Sequence, residues 1–425
     1  MTMFRSVLFV AAALVAAPAA AQTPEEVAAA ALDAAPVWDG HNDVPIQLRG
    51  RWNNAIADFD FEDTTDTGPE HSEGRTMHTD LARLRQGKVG AQFWSVYVSA
   101  DLKEPEAVQA TIEQIDVTRR LIDKYPGDLA LALTADDVER AVANGKIASL
   151  IGMEGGHSIG SSLGVLRQMH AIGARYMTLT HSKNTPWADS ATDTPAHDGL
   201  TDFGKDVVRE MNRLGMLVDL SHVSEKTMHD ALDVAQAPVI FSHSGARAIN
   251  GHARNVPDSV LARLPENGGI VMVVALPGFL SEPARQWFGN RQAEKARLEA
   301  LWQGQPEAVT SQLTAWDAAN PLPQATISDM VDHIDHVRKL AGIESIGIGG
   351  DYDGMPSGPV GMEDVSGYPA LFVELARRGY SRAELEQISY RNMMRVLRAA
   401  EARAIAAAAQ SPIETVGPKW GSGED

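Results

Sequence analysis

Short, continuous apolar runs recur along the chain near residues 36–39, 91–98, 148–153, 176–180, 217–221, 239–242, 269–276 and 345–350. A run that is apolar at every position reads as a strand buried on both faces. Between most of these runs lie segments with apolar residues at helical spacing, over 79–85, 104–124, 134–144, 162–172, 201–214, 224–234, 328–341 and 381–408. Ser224-Glu225 and Thr134-Ala-Asp-Asp137 look like helix starts, a capping hydroxyl followed by acids. Strand and helix alternating eight times over predicts an α/β fold, a (β/α)8 TIM barrel. An open, doubly wound sheet would show the same alternation, but no Gly-x-Gly-x-x-Gly or phosphate-loop motif accompanies it.

Two stretches interrupt the alternation. Residues 49–73 are polar and acidic and read as a long loop after the first strand. Residues 277–323 form an insertion after the seventh strand, with a charged helical pattern and Trp287, Trp302 and Trp316. Long loops on the catalytic face of a barrel often act as lids, so this helical insertion is expected to help cover the mouth.

Both ends of the chain stand apart from the barrel. Met1-Thr-Met-Phe-Arg5 carries a positive charge, residues 6–17 are apolar, and Ala19-Ala-Ala21 supplies small residues for cleavage. This resembles a secretory signal peptide cut after Ala21. The competing reading, a membrane anchor, fits less well because the apolar stretch is shorter than the ~20 residues a span needs. The tail, 411–425, is rich in Pro and Gly and is expected to be flexible. The chain thus divides into a signal peptide over 1–21, a barrel over 22–410 and a tail over 411–425.

Composition narrows the setting. The 425 residues are 44% hydrophobic and 22% charged, enough for a large core. There is no cysteine, which excludes disulfides, thiolate chemistry and a lipidated cysteine. A net charge of −19 disfavours nucleic acid and anionic membranes as partners. The expectation is an exported, periplasmic protein with no membrane anchor in its mature form.

The chemistry lies where the apolar runs end. Val37-Trp-Asp-Gly-His41-Asn-Asp43, Leu150-Ile-Gly-Met-Glu154, Leu217-Val-Asp-Leu-Ser-His222, Val239-Ile-Phe-Ser-His243 and Ile346-Gly-Ile-Gly-Gly-Asp351 each end in a residue able to bind a metal or move a proton. In a parallel barrel all C-terminal strand ends meet at one mouth. His41 and Asp43, two apart on extended backbone, face one side and can chelate one ion. A lone His-x-Asp carries little weight, but four other strand ends repeat the theme. Glu154 leaves a buried strand and needs a partner, either an arginine or two metals that it bridges. His222 and His243 suit a second metal. His181, at the end of Tyr176-Met-Thr-Leu-Thr, is a further ligand or an electrophile that polarises a carbonyl. His157 reads as structural. Asp351 can shuttle a proton from water to a leaving group; the alternative, a calcium loop, lacks the remaining EF-hand positions. Arg254 either grips a substrate carboxylate or flanks a helix at the surface.

At these residues the chain resembles the membrane (renal) dipeptidase family, a branch of the amidohydrolase-type barrels. The matching segments are Asp39-Gly-His-Asn-Asp43, Gly152-Met-Glu-Gly-Gly-His157, Leu179-Thr-His-Ser-Lys-Asn-Thr-Pro-Trp-Ala188, Val218-Asp-Leu-Ser-His-Val-Ser224, Phe241-Ser-His-Ser244, Arg254-Asn-Val-Pro-Asp258 and Gly349-Gly-Asp-Tyr-Asp-Gly354. They run in order over most of the chain after residue 21.

The resemblance implies a zinc-dependent dipeptidase with two Zn²⁺ per chain. His41 and Asp43 would hold one ion, His222 and His243 the other, and Glu154 would bridge them. His181 would contact the substrate near the scissile carbonyl, Asp351 would be the acid/base, and Arg254 would bind the carboxylate of the C-terminal residue. Substrates with a C-terminal D-residue fall within the expectation. Without cysteine, any homodimer forms without the inter-subunit disulfide of animal relatives. The rival readings are an N-acyl amino-acid deacylase, lactonase or phosphotriesterase on the same metals, and a peptide-binding protein on an inactive barrel.

Overall fold

A computed structural model describes residues 22–67, 76–103 and 105–418 of the chain. Its nine strands are β1 (Val37–Asn42), β2 (Val89–Ser95), β3 (Leu129–Leu131), β4 (Ile147–Glu154), β5 (Ala174–Thr178), β6 (Leu217–Asp219), β7 (Ile240–Ser244), β8 (Ile270–Val273) and β9 (Ile346–Ile348). Eight of them close into a parallel barrel. Neighbours run β2-β1-β9-β8-β7-β6-β5-β4, and β4 pairs back onto β2. The remaining strand, β3, pairs with the first residues of β4, on the edge that β5 occupies further along. Every one of the eight apolar runs is a barrel strand. The seventh of them is β8, because β3 adds one to the count.

Alternate strand residues enter different clusters, as a period of two requires. Trp38, Phe93, Leu150, Tyr176, Leu217, Ile240 and Met272 pack together as one core. Trp94, Ile151, Met177, Val218, Phe241 and Val271 join the cluster that includes the surrounding helices. Those helices start where the sequence says. Thr134 and Ser224 accept hydrogen bonds from the amides of Asp137 and Thr227 at the first turns of Ala135–Ala143 and Glu225–Val234.

Among the described residues, five α-helices lie outside the predicted set: Pro24–Ala34, Val44–Trp52, Tyr368–Arg377 and the short Asp258–Leu261 and Leu264–Asn267. The second corrects the expected loop over 49–73. Helix follows β1 at once, with Pro45 in its first turn, and it ends only at Asn53, in the left-handed region at φ 50°. Residues 68–73 of that expectation lie outside the described residues, as does the signal segment 1–21. None of the described helices is long and apolar enough to cross a membrane.

The insertion consists of Pro277–Leu280, Glu282–Leu301 and Pro306–Ala319. The two longer helices form a hairpin with its own small core of Leu298, Val309 and Leu313, with Trp302 against it. Trp287 and Trp316 pack 5.8 Å apart between them. At the other end of the chain, the described part of the tail is tied to the barrel helices. The Ile413 amide donates to Glu210 (3.2 Å), and its carbonyl accepts from Arg167 (3.1 Å).

Candidate active site

The barrel brings the strand-end residues to one place. Glu154, buried at the end of β4, lies at the centre. Its Oε1 faces His222 Nε2 at 3.0 Å, His243 Nε2 at 3.5 Å and His181 Nε2 at 3.7 Å. Its Oε2 faces His41 Nε2 at 3.5 Å and accepts from Ser95 Oγ at 3.1 Å. His41 Nε2 also lies 3.4 Å from Asp43 Oδ2. Two ligand triads therefore share Glu154: His41, Asp43 and Glu154 on one side, Glu154, His222 and His243 on the other. Asp351 closes a third group with His41 and His243.

Several local features build this cluster. Asp43 occupies the cap position of the helix Val44–Trp52 yet makes no capping bond, because its carboxylate is turned toward His41. His222, Asp351 and Asp353 have φ of 71°, 62° and 67°, a left-handed backbone that such residues seldom adopt. Strain of this kind concentrates at functional sites. Gly354 approaches so closely that a Cβ there would lie 2.1 Å from Asp43 Oδ2. Gly155 and Gly156 make room instead for His157, Leu179 and Trp187. His157 is turned to the Val98 carbonyl, 3.1 Å from its Nε2, in a structural role.

The donor set fits a metal cation. His41 Nε2 is buried and has no hydrogen-bond partner. Burial disfavours a charged His41, but Tyr176, Glu154 and Asp43 outweigh it and raise its pKa well above the ordinary value, so this point calls for positive charge. Burial pushes the Glu154 carboxyl up, while His41, His181 and His222 overcome this and hold it well below the usual range. The pKa values of His222 and His243 fall well below normal, chiefly through burial and then through Arg254 and their histidine neighbours. Both are neutral imidazoles, the form that binds metal.

Above the cluster lies a cavity of about 350 Å³. Asp43, Glu154, His181, His222, His243, Arg254 and Asp351 all line it, and His41 lies buried beneath. Arg254 is buried rather than on the surface. Its guanidinium lies 5.3 Å from the Phe279 ring and donates to His243 Nε2 at 2.7 Å. Burial lowers its pKa to about 10, which leaves it charged at neutral pH. The His181 pKa falls to about 4, through burial first and Arg254 second, against the pull of Glu154. Burial and the neighbouring Asp43 raise Asp351 well above the usual carboxylate range. Leu276 and Phe279 at the root of the insertion line the cavity, together with Ile46 and Tyr97; the three tryptophans of the insertion do not.

Four residues behind the candidate ligands escaped the sequence reading. Tyr176 OH is 2.8 Å from His41 Nδ1, and Ser242 Oγ is 2.8 Å from His243 Nδ1. Asp219 supports Ser242, and Ser95 supports Glu154. The one signal available was Asp219, an acid inside an apolar run and therefore in need of partners.

Comparison with known proteins agrees with this geometry. Residues 25–411 match the family described as membrane dipeptidase (peptidase family M19). Dipeptidase 3 of Rattus norvegicus is 41% identical over 389 residues, covering 90% of this chain and 69% of the rat protein. The crystal structure of the probable dipeptidase PvdM from Pseudomonas aeruginosa superposes with a TM-score of 0.74 at 24% identity, over 90% of this chain and 99% of the other. A metallo peptidase from Rhodobacter sphaeroides, solved with a phosphinate mimic of the dipeptide L-Ala-D-Ala, has a TM-score of 0.68 at 23% identity, over 86% and 99% of the two chains. The solved structures speak for the fold, and the sequence match carries the family. The chain belongs to the membrane dipeptidase family, peptidase family M19, and is a metallopeptidase that acts on dipeptides.

Proposed function

We propose that this dipeptidase works with two zinc ions, one held by His41 and Asp43, the other by His222 and His243, with Glu154 spanning both. The observation that carries this reading is the division of contacts around Glu154, whose Oε1 faces His222 and His243 while Oε2 faces His41. Imidazole nitrogen and carboxylate oxygen without thiolate suit zinc in a catalytic site. Such ions, when bound, make water acidic enough to act as a nucleophile near neutral pH and polarise the carbonyl it attacks.

The protein's own groups do the rest. Arg254 pairs with the free carboxylate of the C-terminal residue, turning from His243 into the cavity to do so. That demand selects a substrate with a carboxylate one residue from the scissile bond. His181, neutral at physiological pH, keeps an N–H for the carbonyl oxygen as negative charge develops there. Asp351 takes a proton from the attacking water and delivers it to the leaving amine as the C–N bond breaks. The water oxygen stays on the carbonyl carbon. We include C-terminal D-residues among the substrates, supported by the ligand of the Rhodobacter sphaeroides enzyme. We also propose export to the periplasm, with removal of residues 1–21 and a barrel domain over 22–410.

Elemental analysis of protein purified without chelator tests the metal assignment. Two zinc ions per chain are expected, and Glu154→Gln, which removes the shared negative charge, weakens both. A stoichiometry of one that zinc addition does not change contradicts the binuclear reading.

A further inference from the structure

The proton on His243 can be traced from one end of a hydrogen-bonded chain to the other. Arg254 Nη2 lies 2.7 Å from His243 Nε2, and a guanidinium can only donate. Nε2 is therefore the acceptor, and in the neutral ring the hydrogen sits on Nδ1. That hydrogen points at Ser242 Oγ, 2.8 Å away. Having accepted it, Ser242 turns its own hydroxyl hydrogen to Asp219 Oδ2 at 2.7 Å. Asp219 is fully buried and is held by three further donors: Thr178 Oγ1 at 2.5 Å, the Ser221 amide at 3.1 Å and the Ser242 amide at 2.9 Å. The two amides lie immediately before His222 and His243, so one carboxylate sets the ends of both β6 and β7.

We propose that Asp219 and Ser242 are positioning residues that act through His243. Their relay holds its Nδ1 protonated and its Nε2 lone pair aimed at the cluster, which favours one of the two metal positions. The inference rests on the reading that His222 and His243 hold one ion. His41 has a different backing, the neutral phenol of Tyr176 at 2.8 Å, so the two positions are supported independently.

Substitutions at the two positions should act differently. Ser242→Ala cuts the relay and leaves the amide bonds to Asp219 in place. Asp219→Asn weakens it from the other end. The two amides require an acceptor at the Oδ1 position, which directs the new NH₂ group toward Ser242 Oγ. The serine, with two lone pairs, then accepts from both Asn and His243 Nδ1 and loses the carboxylate that took its own hydrogen. Arg254 still keeps Nε2 the acceptor, so the ring keeps its tautomer and loses the charged anchor behind it.

The test is competition for zinc between the loaded enzyme and a chromophoric chelator, which resolves the two ions by affinity. Ser242→Ala should weaken one ion by roughly 10–100-fold, the usual effect of removing such support, and leave the other unchanged. Ser242→Thr, which keeps a hydroxyl, should restore it. Asp219→Asn should weaken the same ion. Wild-type affinity in Ser242→Ala, wild-type affinity in Asp219→Asn, or equal weakening of both ions would overturn the relay. Ser242→Ala decides the matter even if Asp219→Asn does not fold. A wild-type enzyme that releases only one zinc would instead overturn the binuclear reading on which the relay rests.

Discussion

Asp351 holds its backbone at φ 62°, a region that Asn tolerates as well as Asp. Asp351→Asn therefore keeps the turn and removes only the capacity to take up a proton. The expected outcome is a fall in kcat of roughly 10²–10⁴ with zinc content unchanged, read by steady-state kinetics beside elemental analysis. Loss of zinc along with activity would make Asp351 a ligand instead. Gly152 matters for its lack of a side chain. A Cβ there would lie 2.0 Å from Tyr176 Cζ, and that ring is backed by Phe93 at 4.9 Å. Gly152→Ala should cost about 1–3 kcal/mol in denaturant unfolding, as overpacking does, and should weaken zinc binding through the displaced Tyr176–His41 contact. Wild-type stability and zinc affinity would show that the ring has room to move. At this scale the sequence displayed the histidines and acids that face the cavity, because at the ends of apolar runs they stand out, but not its apolar lining of Ile46, Leu276 and Phe279. It did not display Tyr176 or Ser242, whose importance lies in the partner each one meets across the barrel.

Strands were the most legible elements, since continuous burial writes itself as continuous apolar sequence. β3 escaped because three residues, Leu129–Leu131, carry no pattern of their own. The helix Val44–Trp52 escaped because Asp43, where a cap is expected, serves the site and leaves Pro45 as the main start signal. The insertion was legible as helical, and its tryptophans suggested a cover for the mouth. They instead hold the hairpin to itself, while Leu276 and Phe279 at its root face the cavity. Trp316→Ala should therefore speed hydrogen exchange in Glu282–Leu301 and Pro306–Ala319 yet keep kcat/KM within about twofold, as changes remote from a site usually do. A tenfold fall in kcat/KM would return the tryptophans to a role at the mouth.

Across the whole molecule, barrel closure is what turns separate strand ends into a site. β4 meets both β2 and β5, so Glu154 comes to lie between His41 of β1 and the histidines that follow β6 and end β7. The sequence implied such a meeting through the alternation of elements. It could not say that the two carboxylate oxygens would face opposite sides of the cluster, since that depends on how far each strand extends past its neighbours. In a chain with a net charge of −19, Arg254 is a buried cation at the cavity wall, and its proposed grip on a substrate carboxylate is what a lactonase on the same donors would not need. The most direct measurement is kcat/KM for one dipeptide and its C-terminal amide, with wild type and Arg254→Ala. A charge-assisted contact worth about 1.5–3 kcal/mol predicts at least a tenfold loss on the free dipeptide. The amide should be a poor substrate for wild type and little worsened by the substitution. Equal losses on both substrates would contradict the carboxylate clamp, and with it the account of how this site selects dipeptides.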